Sequence, residues 1–267
     1  MFVTRRSFLH TTPLIFTPPL WASARPVAVA AIDTSFPTQP ADLVREMVGV
    51  SHFNLARVKE LLARQPTLAR AAWDWGFGDW EDALGAASHV GNREIAELLL
   101  ANGARPTIFS AAMLGQLDTV KAFIAASPGI ESTPGPHSIT LLRHAMAGGP
   151  RAQAVTDYLK TLPGADARPA SEPLTTEQLN ELTGEYVYGT GSDERVTIAV
   201  ANNVLTFTRT GRSARNLVHV GDRTFFPVGA PLVKIRFRAS SSVMTMTVHD
   251  PDLVLEAARK MIPGVIF

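Results

Sequence analysis

The 267-residue chain contains no cysteine. Disulfide bonds, thiolate nucleophiles and cysteine-ligated zinc are therefore excluded. The absence is compatible with an oxidising compartment, where stray thiols are a hazard. An excess of either charge is also missing. Lysine and arginine total 25, aspartate and glutamate 24, and near balance holds separately within residues 41–165 and within 172–267. A nucleic-acid partner requires a basic face that displaces counterions from phosphates, so that class is rejected. No apolar run is long and unbroken enough to span a bilayer. Hydrophobic residues make up 46% and charged residues 18%, a globular composition. The length suits one large domain or two ordinary ones.

The chain opens with a charged start, a proline-interrupted apolar stretch "FLHTTPLIFTPPLW" and small residues "ASA" at 22–24. This order is that of a secretory signal. Thr4-Arg5-Arg6-x-Phe8-Leu9 resembles the bacterial twin-arginine export signal, with His10 where lysine is more usual. The resemblance implies a passenger that folds before export and becomes periplasmic or secreted after cleavage, expected after Ala24. Residues 25–40 are expected to form a disordered linker. No cofactor motif is found, so none is expected.

Between 41 and 163 helical segments recur: "ARVKELL", "EIAELLL", "DTVKAFI" and "AVTDYLK". Aligned on Val58, Ala96, Val120 and Thr156, they stand 38, 24 and 36 residues apart. Ile95, Leu98 and Leu99 share one helical face. Ala86, Ala87, Ala111 and Ala112 are small where two helices must approach closely. Gly91 and Gly115 fall where a tight turn needs a positive φ. The segment Asp82-Ala-Leu-Gly-Ala-Ala-Ser-His-Val-Gly91, followed by Leu98 to Leu100 and Asn102-Gly103-Ala104, resembles the ankyrin repeat. The resemblance implies an all-α ankyrin-type solenoid of three to four degenerate repeats over 41–163, with "ADLVREMVGV" as its amino-terminal cap. Two departures stand against it. The Thr-Pro-Leu-His signature is not intact anywhere, and the 24-residue spacing leaves too little chain for a β-finger.

Tryptophan is scarce, four in all, yet three crowd into "WDWGFGDW" at 73–80. Two roles fit this loop. Its rings either cover the end of a short core or line a partner-binding surface, where tryptophan is enriched in hot spots. On the second reading the candidate partner-binding residues are Trp73, Asp74, Trp75, Phe77, Asp79, Trp80 and His89. Of the histidines, His89 paired with Asp79 has a catalytic look. No nucleophile stands at a recognisable elbow, however, and no second ligand has metal spacing. His137 and His144, seven apart, have no other support as ligands. No catalytic residue and no metal site are therefore assigned. "GTG" at 189–191 lacks a third glycine and a βαβ setting, and is read as a hairpin turn.

"LPGADARPASEP" (162–173) has linker composition, with a boundary expected at 164–173. Thr175 and Gln178 then stand at capping-box spacing. Beyond them the period changes from 3.6 to 2. Seven short alternating runs, from "TGEYVYG" to "VMTMTVH", are separated by glycine and asparagine turns, and "DLVLEAARK" is a further strand or a helix. Even short strands with tight turns imply an antiparallel meander that curls or closes to lose its edges. Leu182-Thr183-Gly184-x-Tyr186 and the strand order resemble the small lipocalin-like β domain behind bacterial serine hydrolases. That resemblance implies a fold for 174–267 and an accessory role without catalytic residues. Val204, Leu205, Phe207, Phe225 and Phe237 are expected to fill it.

The leading functional expectation is an exported interaction module with an unidentified protein partner, no nucleic acid, no membrane span and no chemistry of its own. The alternative is a small-molecule or lipid binder that uses the β domain. An unrecognised enzyme ranks third.

Overall fold

In the computed structural model, residues 34–240 and 243–260 are described. The export motif at Arg5, Arg6, Phe8 and Leu9, and the linker expectation up to residue 33, lie outside them. The described residues from Gln39 onward belong to one compact unit.

Helices α1 (Ala41–Val50), α2 (Leu55–Arg64), α3 (Ala83–His89), α4 (Arg93–Ala101), α5 (Ile108–Met113), α6 (Leu117–Ala126), α7 (Leu141–Ala147) and α8 (Gln153–Lys160) build the first part. Their starts follow from local chemistry. The side chains of Asn54, Asp82, Asn92, Thr107 and Thr140 each accept a backbone N–H at an amino terminus, which satisfies donors a helix leaves orphaned. Gly91 and Gly115 carry φ of +76° and +75°, as the turn argument requires, and a Cβ there would lie 2.1 Å from Ala147 O and 2.2 Å from Arg151 O. No side chain fits that approach.

The expected all-α ankyrin-type solenoid does not form, and the assignment of ankyrin repeats is corrected. None of the helices exceeds ten residues. An antiparallel hairpin, β1 (Ala72–Asp74) with β2 (Trp80–Asp82), runs through this part, and four 3-10 turns interrupt it. A solenoid buries one continuous stripe. Here the apolar residues divide between a cluster around Met47, Val58, Leu61, Leu84, Ile95 and Leu99 and a second around Ile108, Val120, Leu141, Val155 and Leu159. The irregular spacing of the segments is the physical reason. The extra chain before Ala83 becomes the hairpin, and the short second interval leaves α6 with Val120 as its one fully buried residue.

After α9 (Thr176–Leu182), which carries the expected capping box between Thr175 and Gln178, the chain forms eight strands. These are β3 (Gly184–Val187), β4 (Arg195–Ala201), β5 (Val204–Arg209), β6 (Arg215–His219), β7 (Thr224–Pro227), β8 (Lys234–Ser240), β9 (Val243–Asp250) and β10 (Leu253–Arg259). Each pairs antiparallel with its neighbour in sequence, and β10 returns to β3 through Ala258 opposite Val187, closing the barrel. Closure removes both free edges. The inward residues Tyr186, Ile198, Leu205, Phe225, Ile235, Phe237 and Met246 fill the interior, and Leu179 and Leu182 of α9 join the same core. Val204, expected inside, is only half-buried.

Candidate metal centre

Four donor groups from four separate segments converge near the hairpin. His52 stands in the turn after α1. Its Nδ1 lies 2.9 Å from Gly49 O, so Nδ1–H donates there and the lone pair of Nε2 is left for the site. Glu81 is the central residue of β2. Strand alternation sends its neighbours Trp80 and Asp82 the opposite way, Trp80 to solvent and Asp82 to cap α3, while Glu81 turns inward and is 1% exposed. His89 is the last residue of α3. His137 sits in a 3-10 turn with a φ of 57°, and Ser138 beside it has the same value. Positive φ is costly for residues with a Cβ, and such strain collects at functional sites.

Asp79 makes the His137 position possible. Its Oδ1 accepts the His137 backbone N–H at 2.9 Å, and its Oδ2 lies 2.7 Å from His137 Nδ1. Arg215 of the barrel clamps the same Asp79 oxygen. A carboxylate on Nδ1 fixes the tautomer and leaves Nε2 as the free donor atom, as in metal sites where a carboxylate orients a ligating histidine. Trp75 Nε1–H donates to Glu81 Oε2 at 2.8 Å, so the carboxylate is also held from outside.

The inner donors face one another as ion pairs. Glu81 Oε1 lies 3.1 Å from His89 Nδ1 and 3.3 Å from His137 Nε2, and Glu81 Oε2 lies 3.6 Å from His52 Nε2. Glu81 Oε1 and His89 Nδ1 are nevertheless buried atoms with no hydrogen bond of acceptable geometry. One ligand atom from each of His52, Glu81, His89 and His137 falls within 4.8 Å of all the others. Metal–ligand bonds of ~2.0–2.1 Å in a tetrahedron place donors roughly 3.4 Å apart, so the four would draw together to close on an ion.

The electrostatics agree with a site built for positive charge. Burial opposes ionisation of Glu81, but the imidazoles of His137, His89 and His52 outweigh it and hold the carboxyl at about 2. Burial likewise opposes charge on His137, and Asp79 and Glu81 overcome it, raising the imidazole to about 9. His144, fully buried behind the cluster, receives too little help from Glu81 and the Thr140 carbonyl to offset its burial. Desolvation lowers it to about 4; its Nδ1 lies 3.0 Å from Thr140 O and its Nε2 has no partner. A cleft of about 620 Å³ bordered by His89, Ser138, Thr140, Arg143 and Arg168 opens next to the centre.

The expected partner-binding residues divide between different environments. Trp73 and Trp75 pack against the first helical core, and Phe77 reaches the barrel core. Asp74 accepts the Gly76 N–H and shapes the turn. Asp79 orients His137, and His89 joins the cluster. Trp80 alone of the three tryptophans projects outward, 63% exposed. Sequence reasoning named neither His52 nor Glu81 as a candidate donor and set His137 aside, because it searched for metal spacing within one element. The usable signal was that four of the seven histidines fall between 52 and 144. No protein family, curated protein or solved structure matches the chain.

Proposed function

We propose that the protein binds one divalent transition-metal ion, zinc in the first instance, through His52 Nε2, His89 Nδ1, His137 Nε2 and the Glu81 carboxylate. The observation that carries this is the convergence of three imidazoles on one buried carboxylate, with one ligand atom from each of the four residues within 4.8 Å of the others and with Glu81 Oε1 and His89 Nδ1 buried without a hydrogen bond of acceptable geometry. Nitrogen and oxygen donors without sulfur suit zinc and its first-row neighbours. Four protein ligands fill a tetrahedron, so the ion acts as a structural clamp. It ties the end of α1, the hairpin, the end of α3 and the 136–138 turn into one frame. Organised outer groups on His52, His137 and Glu81 support the reading, since such partners are a regular part of metal sites.

Calorimetric titration of the chelator-treated protein with Zn²⁺ tests it. One equivalent is expected to bind, with absorption spectroscopy showing only nitrogen and oxygen neighbours. His137→Ala and Glu81→Gln should each weaken binding at least 10-fold, while His249→Ala, in β9, leaves it unchanged. Wild-type protein that takes up no stoichiometric metal, or variants that bind as wild type does, would overturn the reading.

Trp80 favours a second reading, a protein partner docking on the hairpin. It predicts that Trp80→Ala changes capture from periplasmic extract while metal content and melting stay as in wild type. Capture unchanged by that substitution removes it.

A further inference from the structure

A cavity of about 530 Å³ lies where the hairpin loop meets one mouth of the barrel. The barrel interior beyond it is filled by its own rings, so the space belongs to the mouth. Its walls are apolar and largely aromatic: Trp73, Trp75 and Phe77 from the loop, Phe207 and Val248 from the strands. Phe77 meets Phe207 edge to face at 5.5 Å. Its own φ is 60°, a conformation the flanking Gly76 and Gly78 help the loop reach. The loop therefore holds one ring against the mouth without filling it.

The rim has the opposite character. Arg45 of α1, Arg209 at the end of β5 and Arg212 in the turn after it all border the cavity. They are exposed and, among the described residues, have no ion pair. The fourth arginine, Arg215, is committed to Asp79. The one acid on the rim is Asp74, which already accepts the Gly76 N–H. An apolar chamber of this size, crowned by three unpaired guanidinium groups and one occupied carboxylate, is complementary to one kind of molecule. Ligand sites combine a mostly apolar lining with a few placed polar groups. Guanidinium groups bind carboxylates and phosphates by paired N–H donors.

We propose that the barrel mouth binds a soluble amphipathic anion, an aromatic or alkyl body seated between the hairpin rings and Phe207, with its carboxylate or phosphate head on Arg209 and Arg212. The assignment stands apart from the metal reading, because none of its recognition groups is a metal ligand.

The probe is dodecanoate, kept below its micellar concentration and followed by tryptophan fluorescence, with dodecanol and dodecyltrimethylammonium as neutral and cationic counterparts. Saturable binding of dodecanoate is expected, at least 10-fold tighter than either counterpart. The double variant Arg209→Ala/Arg212→Ala should lose that preference and bind dodecanoate about 10-fold more weakly, whereas Arg209→Lys/Arg212→Lys, which keeps the charge, should retain most of it. Phe77→Trp, which enlarges the ring over the mouth, should weaken all three probes. Because both arginines are exposed, near-ultraviolet circular dichroism should show both double variants folded. Equal affinity for dodecanoate and dodecanol, or unchanged binding after loss of both arginines, overturns the proposal. So does co-sedimentation with anionic phosphatidylglycerol vesicles that the double alanine variant abolishes, which would assign the same arginines to a membrane surface.

Discussion

The helical part and the barrel handle buried polarity in opposite ways. Nine polar or charged residues are buried among the described positions, and eight of them lie before residue 160: Ser51, Asp79, Glu81, Ser88, Ser110, Thr140, His144 and Thr156. The barrel contributes only Thr206. A buried polar group costs free energy unless partnered. The barrel avoids that cost with a core of rings and branched chains. The helical part accepts it, and places two carboxylates and a histidine where small alanine-lined helices leave room. Buried polar groups therefore gather in the helical part, and the barrel interior is almost wholly apolar. The hairpin joins the two, presenting Glu81 to the proposed metal centre and Trp75 and Phe77 to the barrel mouth.

The largest expected effect tests the barrel side. Phe225→Ala removes a fully buried ring and should cost about 3–5 kcal/mol in urea unfolding, with zinc affinity unchanged because the ring belongs to the barrel core and none of the four proposed ligands does. A loss of zinc binding in that variant would show that the two parts are not independent in this respect. Next comes the metal. At a free Zn²⁺ concentration of 100 times Kd, the wild type should gain about 2.7 kcal/mol and melt correspondingly higher, while His52→Ala/His137→Ala gains nothing. Differential scanning calorimetry with and without chelator reads both.

A third test concerns pH. Burial holds His144 near 4 in the folded chain, below its ordinary 6.5, so the unfolded chain takes up the proton first. Its contribution is fully present above pH 6.5 and is lost as pH falls toward 4. The loss is on the order of 3 kcal/mol at most, at about 1.4 kcal/mol per pH unit. His144→Met should therefore show a flatter fall in stability over that window than wild type; parallel profiles would mean the buried imidazole is not held neutral. The smallest effect is Trp75→Phe, which removes the donor to Glu81 Oε2 and keeps the ring. Zinc affinity should drop about 10-fold, the lower end for groups that support a ligand, and titration calorimetry measures it.

Much of the local structure was legible. Alternation from Val196 to Phe207 marked strands, and Thr175 with Gln178 marked the start of α9. Gly91 and Gly115 marked turns that only glycine enters cheaply. The helical segments were also visible, but their assembly was misread. Alanine-rich first helices closed by glycine suit any tight helix pair, and so they do not specify an ankyrin solenoid. The site was mostly hidden. Asp79 and His89 were noticed for their residue types. Glu81 looked like an ordinary polar residue, because only the pairing of Trp73 with Glu81 in β1 and β2 shows that its side chain faces inward.

What the sequence determined alone is therefore what neighbours along the chain decide: helix caps, strand periodicity, turns, and the absence of thiol chemistry. Tertiary structure decided the closure of β10 onto β3 and the meeting of His52, Glu81, His89 and His137. These four lie 29, 8 and 48 residues apart in succession. Local patterns carry no record of such separations. The donors meet because packing of α1, α3 and the hairpin around one small core brings their ends to the same place, and because Asp79, held by an arginine from the barrel, turns His137 to face them.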